Sequence, residues 1–176
     1  MSLAQRQMNT IVTARLTLEP QLATHAAEMF AVLSDPAIYE YEKEPPPSQA
    51  WLSERYARLE SRSSPDGQEQ WLNWVIRLPP SGLIGYVQAT VHPDGGAAIA
   101  YELASDYWGR GLAHEAVQAM MSELGRRYQV HRYFAVLKGR NLRSLRLIER
   151  LGFSLASPER HARLGVEPGE LLMLRE

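Results

Sequence analysis

Tyr107-Trp108-Gly109-Arg110-Gly111-Leu112-Ala113 decides how this chain is read. It lies between a run of strand formers, Ala97 to Leu103, and a helical pattern with Ala113, Val117, Met120 and Leu124 on one face. Two glycines permit a tight turn and close approach of a ligand, while the first turn of the helix offers unpaired N–H groups and a partial positive charge. That combination suits an anion, a phosphate above all. A P-loop would follow its glycines with Lys and Ser or Thr, and a dinucleotide turn would follow the first strand of a parallel sheet and precede an acidic residue. Neither condition is met. Taken alone, the Gly-x-Gly tripeptide serves as well for a plain chain turn.

Working outward, Tyr133 to Leu137 is rich in strand formers, so strand, glycine turn, helix and strand make a βαβ crossover, right-handed with parallel strands. Asn141 can cap a further helix on which Leu147, Ile148 and Leu151 follow Ser144 at i+3, i+4 and i+7; Gly152 supplies its left-handed stop, and Leu171 to Leu174 is a last strand. Toward the N-terminus, Trp71 to Leu78, Leu83 to Val91 and Ala97 to Leu103 are apolar runs joined by short Pro/Gly loops, an antiparallel meander. Before them, Ile11 to Glu19 reads as a strand closed by Pro20. A helix then carries Leu22, Ala26, Met29, Phe30 and Leu33, and after the linker Lys43 to Ser48 a second carries Leu52, Tyr56 and Leu59. The order β-α-α-β-β-β-α-β-α-β-β shows no repeat and no break in composition. Residues 1–176 are expected to form one mixed α/β (α+β) domain, with residues 1–9 a flexible terminus and Lys43 to Ser48 and Ser157 to Gly169 flexible stretches.

Composition sets the outer bounds. The 176 residues are 45% hydrophobic and 22% charged, a profile of one soluble globular domain large enough to need no disulfide or structural metal. With no cysteine, thiol nucleophiles, iron–sulfur clusters and cysteine-bound zinc are excluded, and a reducing cytoplasm fits. A net charge of −1 leaves no global field for nucleic acid or anionic lipid. All basic residues but Lys43 and Lys138 are arginines, which carries no functional weight. No apolar run reaches the roughly 20 residues of a membrane span, and Met1 to Asn9 lacks the core of a signal peptide. His25, His92, His114, His131 and His161 show no metal spacing.

The glycine turn gains meaning from a second segment thirty residues beyond Gly111, Asn141-x-x-Ser144-x-x-Leu147-Ile148-x-x-Leu151-Gly152-Phe153. Together the two resemble the GCN5-related N-acetyltransferases (GNAT family), in particular the RimJ/RimL-like branch that acetylates ribosomal-protein N-termini. The family turn is Gln/Arg-x-x-Gly-x-Gly/Ala; here Trp108 takes the first place, a departure this branch tolerates. Thr13-Ala14-Arg15-Leu16-Thr17-Leu18 looks like the family's opening strand, and the element order is the family's order. The resemblance implies a GNAT fold: a mostly antiparallel sheet of about seven strands, a central splayed parallel pair and helices on both faces.

It also implies a site for acetyl-CoA as co-substrate, with no metal. Gly109, Arg110, Gly111, Leu112 and Ala113 would bind the pyrophosphate, the backbone at Leu103 and Ala104 would pair with pantetheine, and Asn141 would contact the cofactor. Ser144 would stand near the thioester sulfur and protonate the departing thiolate; its bland reading is a solvated serine beside a capping Asn. Related enzymes often carry a basic Glu where this chain has Ala98. Glu102, on the same strand face by alternation, is the base candidate, against an edge charge in solvent; Glu40, Glu42 or a water chain are the substitutes. Glu115 suits the helix dipole. Arg110, Arg140, Arg143 and Arg146 bracket the nucleotide, and Tyr39, Tyr41, Trp51 and Tyr56 border the acceptor cleft or pack beneath a loop. The activity implied is direct acetyl transfer to a primary amine, either a protein N-terminus or a small molecule. The partners are acetyl-CoA and that amine, without nucleic acid or membrane. A homodimer and a preference for longer acyl groups stay open. A coenzyme A-binding module without turnover, motivated by Ala98, and a phosphate-binding protein of unrelated fold are the rivals.

Overall fold

The β-branched stretch Ile11 to Glu19 folds not as one strand but as two, β1 (Ile11–Val12) and β2 (Thr17–Pro20). Thr13 forces the break: its N–H donates to the Leu16 carbonyl (2.9 Å), and its hydroxyl accepts from the Leu16 N–H (2.9 Å), closing a turn. The sheet therefore has eight strands where about seven are expected. The computed structural model describes residues 7–41 and 43–176, so Met1 to Arg6 of the expected flexible terminus and the substitute base Glu42 lie outside the described residues. Residues 7–9 are tied down: Met8 is buried, and the Trp74 indole donates to the Asn9 carbonyl (2.9 Å).

After β2 come α1 (Ala26–Val32), α2 (Gln49–Leu59) and the meander β3 (Gln70–Leu78), β4 (Gly82–Val91) and β5 (Gly96–Leu103). Then follow α3 (Leu112–Tyr128), β6 (Arg132–Lys138), α4 (Leu142–Arg150), β7 (Ser154–Leu155), α5 (Pro158–Arg163) and β8 (Glu170–Arg175). Strand order is β1-β2-β3-β4-β5-β6-β8-β7. Every pair is antiparallel except β5 and β6, which the α3 crossover makes parallel. The segment Ser157 to Gly169, expected to be flexible, contains α5. Ser157 caps it by accepting from the Arg160 N–H, Pro158 occupies its first turn, and His161 Nε2 accepts from the Leu172 N–H at 3.0 Å.

Helices cover both faces. On one, α1 and α2 bury Ala26, Met29, Leu33, Leu52 and Tyr56 against Val75 and Leu83. On the other, α3 and α4 bury Leu112, Val117, Met120, Leu124 and Ile148 against Trp74, Ile76, Ile84 and Val87. Val117, Met120 and Leu124 are fully buried, each stabilising the fold by about 1.5–3 kcal/mol. The feature that positions the site is the β5–β6 pair. Its register runs only through Gly96↔Arg132, Ala97↔Tyr133 and Ala98↔Phe134, and the two strands then continue to Leu103 and Lys138 without pairing to each other. A V-shaped opening results at the carboxyl ends of both strands.

Candidate active site

The opening is a cavity of about 870 Å³ walled by β5, the 107–115 turn, β6 and the start of α4. Gly109 (φ 72°) and Gly111 (φ 75°) are left-handed, a backbone state that penalises any side chain, and nothing would touch a Cβ at Gly109. The demand for glycine is thus conformational. Gly111 stands as N-cap of the 17-residue α3, and among the described residues no side chain caps that end. The first N–H groups of α3 are accordingly left for a ligand.

What holds the turn comes from a hundred residues away. Arg15 donates from Nη1 to the Arg110 carbonyl (2.8 Å) and from Nε to Glu115 Oε2 (2.7 Å). Glu115 Oε1 also accepts from the Thr13 hydroxyl (2.6 Å) and the Arg15 N–H (2.9 Å). Burial opposes charge on Glu115, yet these donors outweigh it and hold its carboxyl below the ordinary range. Glu115 is thus a clamp between the β1–β2 turn and α3. Arg15, which the sequence reading quoted only within the opening strand, lines the cavity.

Among the bracketing arginines, Arg143 reaches the cavity wall and lays its guanidinium 3.3 Å from the Trp108 ring centre, beside Arg150. Arg110 lies over Tyr107 and Arg140 over Tyr41, both outside the wall, as is Arg146. The Trp108 indole donates to the Leu103 carbonyl at 2.9 Å, which explains a Trp at the first place of the turn: it pins the strand end to the turn. Ala104 donates its N–H to the Ile84 carbonyl (2.9 Å). Backbone groups alternate along a strand, so the Tyr101 and Leu103 amides face β6 and the opening.

Glu102 and Ser144 both line the cavity, on opposite faces of β5. Glu102 pairs across with Tyr86 on the α1/α2 face. Ser144, in the first turn of α4, donates its N–H to Asn141 Oδ1 (3.1 Å), so Asn141 is the cap and orients the turn that carries Ser144. Ser144 Oγ lies 2.6 Å from the Tyr101 hydroxyl. Tyr101 is the residue the sequence reading missed; strand alternation puts it opposite Glu102, but only the tertiary fold brings it to Ser144. Burial first, and the Glu102 charge, push its phenol up to about 12, against the hydrogen bond to Ser144. It therefore stays protonated through neutral pH. Among the described residues no group of three or more His, Asp or Glu is placed to hold a metal.

A splayed parallel pair above a glycine turn that opens a long helix is the fold the sequence resemblance implies, and comparison gives the family. The acetyltransferase (GNAT) domain model matches residues 15–154, and the chain belongs to that family. It is similar to the uncharacterized N-acetyltransferase p20 of Bacillus licheniformis, 26% identical over 148 residues that cover 83% of each chain. A putative GnaT-family acetyltransferase from Bordetella pertussis superposes with TM-score 0.73 at 26% identity, over 96% of this chain and 100% of that one. The ribosomal L7/L12 α-N-protein acetyltransferase RimL, solved in complex with coenzyme A, superposes with TM-score 0.74 at 17% identity over 95% and 97% of the chains. The chain is an acetyltransferase with the mixed, mostly antiparallel fold described above.

Proposed function

We propose that the chain transfers acetyl from acetyl-CoA directly to a primary amine within a ternary complex. The observation that carries this is the opposition of Glu102 and the Ser144–Tyr101 pair across the splayed end of β5, in one cavity with the glycine turn. The groups suit the co-substrate. Gly109 to Ala113 offer N–H donors to a pyrophosphate, and Leu103 offers its backbone amide to pantetheine, while Ala104 contributes geometry because its N–H is spent on Ile84. Asn141 adds its place at the α4 start. Bound there, acetyl-CoA supplies an activated acyl carbon whose transfer forms a C–N bond and breaks the C–S bond.

Glu102 takes the proton that the ammonium loses. Ser144 gives its hydroxyl proton to the departing sulfur as it takes one from Tyr101, whose phenol is protonated at neutral pH and regains its proton from solvent when product leaves. The Tyr101 N–H, the other β5 amide that faces the opening, would be the donor to the carbonyl oxygen as it gains charge. Ala98, where relatives often carry the base, lies in the paired part of β5, about 13 Å along the strand from Glu102. The carboxylate at the opening is Glu102, which favours turnover over a binding module.

The test is paired. Acetyl-CoA at a hundred times its Kd should stabilise the fold by about 2.7 kcal/mol, raising Tm by roughly 5–10 °C. Free thiol should then be released only when an amine is added. No thermal shift with acetyl-CoA or CoA at saturation would overturn the co-substrate assignment.

A further inference from the structure

A second cavity, of about 310 Å³, lies on the α1/α2 face and meets the first at Glu102 and Lys43, which line both. Its wall is unlike the core around it. The strand register puts Ala100 opposite Gln88 and Gln88 opposite Asn73, and the Gln21 N–H donates to the Asn73 carbonyl (2.9 Å). Directly opposed residues share a face, so Gln88 on β4, Asn73 on β3 and Gln21 just after β2 form a row of carboxamides, starting beside small Ala100 and hence beside Glu102. A sheet face under two helices has no structural need of such a row; next to it Val75 and Leu83 are apolar. Asn73 is 6% and Gln21 4% exposed. The Gln21 side-chain nitrogen is buried with no hydrogen-bond partner among the described residues. A buried donor without an acceptor is costly to keep, so this wall suits an occupant that brings oxygen atoms.

Charge narrows the occupant. The cavity's ionisable lining is Lys43 and Arg55 against Glu44 and Glu102, with the phenols of Tyr39, Tyr56 and Tyr86, whose pKa values burial chiefly raises above the ordinary value, adding no charge. Arg55 extends from α2 over the Trp51 ring at the mouth. Once Glu102 faces an ammonium, the remaining lining carries two cations and one anion, which disfavours a polyamine and favours a carboxylate. Buried Leu33, Leu52 and Tyr56 add an apolar part to the wall, which suits an apolar side chain on the occupant.

We infer that the acceptor is a small monoamine carrying a carboxylate, of the free amino-acid class. Its ammonium lies at Glu102, its body passes over Ala100 against Tyr86, and its oxygens lie on the Gln88–Asn73–Gln21 row under the field of Lys43 and Arg55. This rests on the transferase reading above.

The test measures thiol release at saturating acetyl-CoA with leucine and phenylalanine, their decarboxylated counterparts isoamylamine and phenethylamine, spermidine, and an alanine tripeptide amide. Free amino acids should exceed the others at least tenfold in kcat/KM. Arg55→Gln, on the exposed face of α2, and Gln21→Leu should each raise KM for the amino acid about tenfold and leave KM for phenethylamine unchanged. Equal or better turnover of phenethylamine, spermidine or the tripeptide amide overturns the assignment while the transferase reading stands. Acetyl-CoA binding without turnover of any amine overturns the transferase reading and this assignment together.

Discussion

Glu102, Ser144 and Tyr101 differ in what each can lose. Glu102→Gln keeps size and removes the basic oxygen, so kcat/KM should fall by about 10² or more and the acidic limb of its pH profile should vanish. Ser144→Ala should slow thiol release with little change in acetyl-CoA affinity. Tyr101→Phe deletes the group 2.6 Å from Ser144 Oγ and should lower kcat by about tenfold, since Ser144 keeps its own proton but loses its source. Steady-state rates across pH with one good amine check all three. Wild-type behaviour of Glu102→Gln at every pH would move proton removal to water or to another carboxylate such as Glu40.

The glycine turn is best tested as an element by two substitutions at Gly111. Gly111→Ala adds only a Cβ in a left-handed backbone and should cost about 1–2 kcal/mol of stability. Gly111→Asp adds the same strain plus a negative charge facing the pyrophosphate, with Arg15 Nη2 3.4 Å from the new Cβ. Acetyl-CoA affinity should therefore fall further in Asp than in Ala, by tenfold or more, while their Tm values stay close. The turn, the α4 segment and the crossover were legible because each is local: glycine spacing, helical periodicity and a capping Asn lie within about a dozen residues. The break at Thr13, the α5 helix and the Tyr101–Ser144 contact were not. The first depends on one hydroxyl competing with strand pairing, the second on His161 reaching β8, and the third on two elements 43 residues apart. The Arg15–Glu115 clamp, formed across 100 residues, likewise leaves no local trace.

Across the whole molecule, proton linkage should limit stability from both sides of neutrality. Asp35 caps the turn after α1 by accepting from the Ala37 N–H (3.0 Å) and reaches the end of β5 through the Ser105 N–H (2.6 Å). Burial opposes its charge, but these donors prevail and hold its pKa below the ordinary value, as Arg77 chiefly does for Glu19. A carboxyl lowered on folding contributes stability above its unfolded pKa, and that contribution disappears as pH falls through the folded one. Asp35→Asn should accordingly cost about 1 kcal/mol at pH 7, with the gap to wild type closing in acid, where wild-type Asp35 is protonated too. The alkaline side runs the other way. Burial raises the Tyr39 and Tyr101 phenols to about 12, above the free value near 10, so their contribution is whole below the unfolded pKa and is lost as pH climbs through the folded one. Tm measured from pH 3 to 12 should therefore trace a plateau with two falling limbs. Tyr101→Phe should flatten the alkaline limb and Asp35→Asn the acid limb, and a variant that flattened the opposite limb would contradict the assignment of that limb to its residue.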